Sequence, residues 1–296
     1  MSNLKTLMAG LAAAALALPA QAESGWHLLN MPVGVSELSR EIHEMHMIML
    51  WVCVVLALFT FGAMIVAMVK FRKSKGAVAD QTFLHSTRLE IAWTIIPVFI
   101  LVAMAVPSVA KLIKIEDTSN SELTVKVTGY QWQWHYEYLD TGVSFYSKLA
   151  EKSNEARQLH SGVEPTSVEN YLLDVDNPLV VPVGTKIRIL LTDNDVIHYW
   201  WVPDFGMKRD AIPGFINEMW ISVDADKPGT YRGQCVELCG RDHGFMPVVV
   251  VAKPKAEFQA WLEQKKAEAR QAGVPVAPTA QLDTQAAPAA LIAKAE

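Results

Sequence analysis

Two runs of the chain, residues 47–69 and 91–110, are 23 and 20 residues long and carry no charge. At 1.5 Å per helical residue, each covers the roughly 30 Å hydrocarbon core of a bilayer. A buried helix of a soluble domain is the alternative, and two such runs in one chain argue against it. Pro97 and Pro107 interrupt the second run; a membrane helix tolerates proline where neighbours satisfy the freed carbonyl. The connecting loop carries Lys70, Arg72, Lys73, Lys75 and Arg88 against Asp80 and Glu90. The segment before the first run has Glu23, Glu37, Glu41 and Glu44 with only Arg40. Basic loops stay cytoplasmic. The portion 23–115 is therefore expected to hold an α-helical hairpin, spans about 47–69 and 91–110, with both termini on the periplasmic side.

Residues 1–22 read as a signal peptide. Lys5 gives a positive start, 7–18 is a short apolar stretch, and Ala20-Gln21-Ala22 offers a small-residue cleavage site. A mature chain beginning near Glu23 in a bacterial inner membrane is expected, with an uncleaved anchor as the alternative.

From residue 123 the hydrophobic period changes to two. The stretches 123–128, 171–175, 186–190, 219–223, 229–234 and 246–251 read as strands, separated by Pro/Gly breakers. Many short strands imply an all-β sandwich, expected over 120–262. Residues 141–169 read as an irregular insertion. A charged helical pattern covers 256–270, and 263–296 counts as an Ala/Pro-rich disordered tail.

Residues 235–246 present Cys235, Cys239, His243 and Met246 at the spacing Cys-x3-Cys-x3-His-x2-Met, and His198 lies upstream. Thiolate, thioether and imidazole together are soft ligands that suit copper. A disulfide would explain two residues and leave His198, His243 and Met246 idle. Zinc has no use for Met246. A single blue copper ion leaves one cysteine over. Two coppers sharing two thiolates use the whole set, with the Glu237 carbonyl available to one of them. The third cysteine, Cys53, lies in the first apolar run and reads as a small buried hydrophobe.

The stretch 130–138 holds five aromatics in nine residues. Strand alternation would put Trp132, Trp134 and Tyr136 on one face. Around an exposed aromatic, Glu137, Asp140, Asp174, Asp176, Asp193 and Asp195 would make a docking patch for a basic partner; solubilising the domain is the plain alternative. A net charge of −5 without a basic patch argues against nucleic acid. Glu90, at the cytoplasmic mouth of the second span, is either an interfacial anchor or a functional carboxylate.

These features in order resemble subunit II of bacterial haem-copper cytochrome c oxidase. They are a signal segment, a two-helix hairpin, Gly-Tyr-Gln-Trp-Gln-Trp, and Cys-x-Glu-x-Cys-x3-His-x2-Met. Asp210-Ala-Ile-Pro-Gly214 and the Glu90 to Pro97 segment are also similar to family motifs. The resemblance spans about 25–262. It implies a cupredoxin-like Greek-key sandwich beside the transmembrane hairpin. It also implies a binuclear copper A centre on His198, Cys235, Glu237 (through its carbonyl), Cys239, His243 and Met246. Trp132 then corresponds to the residue that receives electrons from cytochrome c. The Glu237 side chain corresponds to a ligand of a magnesium ion shared with subunit I, and Glu90 to the mouth of a proton pathway. Oxidase subunits I and III, cytochrome c and the bilayer are the implied partners. Two departures, Gln133 and the bulky Tyr199-Trp200-Trp201, are expected to alter the docking surface. No Cys-x2-Cys-His follows the copper motif, so a separate cytochrome is expected as donor.

Overall fold

Ser36 opens helix α1 (Glu37–Lys70) with a reciprocal cap. Its hydroxyl accepts from the Ser39 amide (3.0 Å), and the Ser39 hydroxyl accepts from the Ser36 amide (2.9 Å), satisfying donors that a helix start leaves free. Helix α2 (Thr87–Glu116) contains Pro97 and Pro107. Both helices are long and apolar enough to cross a membrane. The structure, a computed structural model, describes residues 29–76, 78, 82 and 85–271. The expected signal peptide, Glu23, Asp80 and the tail beyond 271 lie outside the described residues.

Ten strands follow: β1 (Leu123–Tyr130), β2 (Gln133–Tyr138), β3 (Val143–Ser147), β4 (Leu179–Pro182), β5 (Ile187–Asp193), β6 (His198–Trp201), β7 (Lys208–Ala211), β8 (Asn217–Ile221), β9 (Gly229–Cys235) and β10 (Pro247–Lys253). They form two five-stranded sheets, ordered β3-β2-β1-β5-β8 and β4-β10-β9-β6-β7. The β1–β5 and β4–β10 pairs are parallel and the others antiparallel. Alternation sends Val125, Val127, Ile187, Ile189 and Leu191 into the core, where each is fully buried. Trp134, Tyr136 and Tyr138 join them from β2.

Tyr138 ties the two sheets together. Its hydroxyl donates to the Val180 carbonyl (2.7 Å) and accepts from the Val180 amide (3.0 Å). Tyr138→Phe strands both buried backbone groups, at a cost of about 1–3 kcal/mol. Thermal unfolding in detergent is expected to show that loss, and an unshifted midpoint would contradict it. Helix α4 (Lys255–Gln271) buries Phe258 and Leu262 and packs Trp261 on Tyr138 and Phe145.

The hairpin is pinned to the sandwich at its α1 start and α2 end. At that end the two helices are first tied to each other, Lys114 of α2 reaching Glu37 and Glu41 of α1, both at 2.7 Å, and Lys111 reaching Glu41 at 3.3 Å. Arg40 pairs with Asp224 at 2.6 Å, and the Trp220 indole donates to the Lys114 carbonyl at 3.3 Å.

Several expectations need correction. The aromatic stretch 130–138 is two strands, because the chain reverses at Gln131-Trp132; Trp132 therefore does not share the inward face of Trp134. Residues 171–175 are turns with one isolated bridge, at Val175. The supposed irregular insertion contains β3 and helix α3 (Glu151–Ala156). Residues 263–271 are helical, since α4 carries its apolar face to Leu262 and continues. Cys53 lies exposed on α1, among other apolar side chains that face outward.

Candidate metal centre

The loop 235–246 joins β9 to β10, two neighbouring antiparallel strands. Its base is closed by the Cys235 amide, which donates to the Met246 carbonyl at 3.1 Å. The first and last side chains of the motif therefore lie side by side at the ends of two paired strands, and both are buried. On the other flank of β9 lies β6, paired Trp200 to Cys235. The Val236 amide donates to the Tyr199 carbonyl at 3.1 Å. Gly233 permits this approach, since a Cβ there would collide with the Trp201 carbonyl. His198, the first residue of β6, is thereby set beside Cys235.

The donor atoms converge. Cys235 Sγ lies 3.8 Å from Cys239 Sγ, 3.8 Å from His198 Nδ1 and 3.4 Å from the Glu237 carbonyl. Cys239 Sγ lies 3.6 Å from His243 Nδ1. Each sulfur thus has its own imidazole. Both cysteines are free thiols. A metal–sulfur bond is about 2.3 Å, so sulfurs this far apart can share one ion. Two thiols, two imidazoles, a buried thioether and a carbonyl are a soft set that fits copper.

Burial sets the protonation states. It pushes the Cys239 thiol up to about 12, and the neighbouring Cys235 adds to the effect. It also lowers His198, although Asp195 opposes it. A neutral imidazole is the form that binds metal. His198 Nε2 faces Asp195 Oδ1 at 3.2 Å and Asp193 Oδ2 at 3.7 Å, which leaves Nδ1 for the sulfur side. These two outer partners were not recognised in the sequence. The Asp195-x-x-His198 spacing was the available signal.

The β1–β2 turn closes over the loop. The Trp132 indole donates to the Cys239 carbonyl at 3.1 Å, and the Gln131 side chain donates to the same oxygen at 2.9 Å. The Gln131 amide donates to Asp195 at 2.8 Å. Trp132 is half-buried, and the Arg241 guanidinium lies 5.4 Å from its ring.

Residues 123–253 match the family described as "Cytochrome C oxidase subunit II, periplasmic domain". Residues 24–111 match "Cytochrome C oxidase subunit II, transmembrane domain". The chain belongs to the cytochrome c oxidase subunit II family. It is 39% identical over 231 residues to a probable cytochrome c oxidase subunit 2 of Rickettsia bellii, covering 78% of this chain and 81% of that one. It is 36% identical to cytochrome c oxidase subunit 2 of Cereibacter sphaeroides, covering 78% of each. The crystal structure of the periplasmic domain of subunit II of cytochrome oxidase from Bradyrhizobium japonicum is 41% identical. It covers 51% of this chain and 99% of that one, with a TM-score of 0.43. Membership makes the chain a subunit of an oxidoreductase, and the family's transmembrane domain makes it a membrane protein.

The six acidic residues expected to form one patch are not together. Asp193 is buried, its carboxyl pushed up to about 7 by burial, so it faces His198 and no partner. Asp140 follows the end of β2 remote from Trp132, and a six-residue strand spans roughly 20 Å. Glu137, one pair short of that end, is bound to Lys126 at 2.8 Å. Asp195 lies beside Gln131, and Asp176 lines an open pocket of about 590 Å³ with Trp132. Asp174 sits at the same end, 3.5 Å from Arg232. Trp200 is wholly buried, donating to the Tyr136 hydroxyl at 3.3 Å; it is core and does not alter a docking surface. Glu90 lies exposed in the first turn of α2.

Proposed function

We propose that this chain is the electron-accepting subunit of a terminal oxidase in a bacterial inner membrane. It takes single electrons from ferrocytochrome c at a binuclear copper A centre. From there they pass to haem in subunit I, where oxygen is reduced and protons are pumped. One observation carries the reading: an indole is bonded to the carbonyl of Cys239, whose sulfur belongs to a buried set of soft donors.

His198, Cys235, Cys239, His243, Met246 and the Glu237 carbonyl would hold the metal. A copper pair held there would supply one-electron redox chemistry. The residues around it hold that chemistry steady. Asp195 fixes the His198 ring, and the strand ends fix Cys235 and Met246. Both restrict ligand movement between charge states, as fast transfer requires. Trp132 gives an incoming cytochrome a half-buried π-system joined by one hydrogen bond to the Cys239 backbone. Asp174, Asp176 and Asp195 at the same end favour a basic donor.

The Glu237 side chain is exposed, and its charge adds to the burial that holds Asp210 above the usual carboxylate range. It would supply one ligand to magnesium shared with subunit I. Glu90 would stand at the mouth of a proton pathway in subunit I. Subunit III completes the assembly. The residue 120–262 portion then lies in the periplasm with both termini.

Trp132→Phe is the test. It keeps a ring and loses the bond to Cys239. Copper content is expected to stay at the wild-type value while reduction by a basic cytochrome slows about tenfold, or about 1.4 kcal/mol of activation free energy. In the wild type the rate is expected to fall as ionic strength rises. Loss of copper in the variant would make Trp132 a structural residue, and salt independence would remove the docking role.

A further inference from the structure

The two halves of the metal loop are supported differently. Cys235 to Cys239 is held by β6, by β10 and by the Gln131-Trp132 turn. The second half is a single turn, His243–Phe245, with Met246 following. Its backbone bonds run within the loop: the His243 amide donates to the Gly240 carbonyl (3.2 Å) and the Phe245 amide to the Asp242 carbonyl (2.9 Å). Gly244 faces open space.

One side chain from the β3–β4 connection reaches this turn. Arg157 places Nη1 3.4 Å from Asp242 Oδ1 and Nη2 3.4 Å from Asp242 Oδ2, as a two-pronged fork. The same guanidinium lies 4.3 Å from the Phe245 ring centroid. Both charged side chains are largely shielded, Arg157 at 20% exposure and Asp242 at 14%. Asp242 immediately precedes His243, and Phe245 immediately precedes Met246. A planar cation that binds a carboxylate edge-on and an aromatic face is a use lysine cannot match.

Arg157 is itself aimed. Its Nε donates to Asn154 Oδ1 at 2.8 Å, and its amide donates to the Ser153 carbonyl at 3.1 Å. Ser153 is buried and accepts from the Leu172 amide at 3.2 Å. The Ala150 amide donates to the Asp174 carbonyl at 3.0 Å. The connection is therefore anchored at the start of α3 and again at Ser153 within it, and its arginine is presented from a fixed base.

We infer that Arg157 is a positioning residue for the metal centre, bracing the turn that presents His243; Met246 beyond it is held by the Cys235 amide as well. This rests on the copper reading. The brace would slow metal loss by keeping His243 in place when its bond opens.

The test uses the full chain in detergent, loaded with copper. Arg157→Gln, Arg157→Lys and Asp242→Asn are compared with wild type in two readouts. These are the rate of copper loss to a chelator and the imidazole-nitrogen couplings seen by pulsed electron paramagnetic resonance. Arg157→Gln and Asp242→Asn are each expected to speed copper loss about tenfold, or about 1.4 kcal/mol. One imidazole coupling should shift while the other, His198, stays. Combining the two should fall short of additive, because they share the Arg157–Asp242 pair, although Asp242→Asn also loosens Arg241, 3.3 Å from the same carboxylate. Arg157→Lys should recover only part of the loss. Wild-type release rates and unshifted couplings in both Arg157→Gln and Asp242→Asn would overturn the brace while leaving the copper pair standing. A wild-type chain that binds one copper or none would sink both.

Discussion

Cys239→Ser is expected to leave the sandwich folded and destroy the metal pair. The loop around Cys239 is held through its backbone, by Trp132 and Gln131 donating to its carbonyl. Serine keeps those bonds and removes one of the two sulfurs that would hold the proposed copper pair. Changes to outer partners of a metal cost roughly 10–100-fold in affinity, and loss of a shared ligand should exceed that range. A proton signature accompanies the loss. In the metal-free chain the Cys239 thiol is pushed up to about 12, so it is protonated at neutral pH. Metal must displace that proton, and affinity therefore falls as pH falls, by roughly tenfold per unit for each proton released. The serine variant should show a shallower dependence, by one proton. Retention of two coppers with an unchanged pH slope would contradict the assignment of Cys239.

Trp134→Ala should be the most damaging change away from the ligands. Trp134 is wholly buried in β2, and its ring meets the His198 imidazole edge-on, with centroids 5.9 Å apart. Truncating a buried tryptophan costs about 3–5 kcal/mol, or a fall on the order of 10 °C in the unfolding midpoint of a domain this size. The cavity would open behind a metal ligand, so copper affinity should drop as well. Trp134→Phe should be far milder. The indole N–H is buried without a hydrogen-bond partner, and a phenyl ring removes that N–H while filling most of the space. Equal losses in the two variants would mean that Trp134 acts through its N–H and not through packing.

The sequence was most readable where the controlling interactions are local. An uncharged run is a membrane helix by its own composition, and five of the six proposed metal donors fall within twelve consecutive residues. His198, 37 positions away, was readable only as a residue type the motif lacked. The Gln131-Trp132 reversal was hidden because neither residue is one that tight hairpin turns favour, such as glycine or asparagine. Alternation then ran on through the turn and misplaced Trp132. β3 escaped notice because its alternation is inverted at one end, with Ser147 buried and Tyr146 exposed, and because it pairs at a sheet edge, while β4 is only four residues long. Asp193 sits in an Asp-Asn-Asp sequence that reads as a solvated turn. Its burial against His198 is a tertiary fact. The Arg157–Asp242 contact joins residues 85 apart, across a segment whose composition suggested no order.

The same long-range contacts explain why the loop is ready for metal. A soft-donor motif on a floppy segment would have to order itself on binding, at a cost of roughly 1–2 kcal/mol per residue fixed. Here strand pairing on both flanks, the Trp132 turn and the Cys235–Met246 hydrogen bond have already fixed most of it.

Metal counting with electron paramagnetic resonance on the full chain, loaded with copper under reducing conditions and then oxidised by one electron, addresses the centre itself. The account predicts two coppers per chain and a signal from one unpaired electron shared equally between them. One copper per chain, a signal localised on a single ion, or exclusive retention of zinc would contradict it.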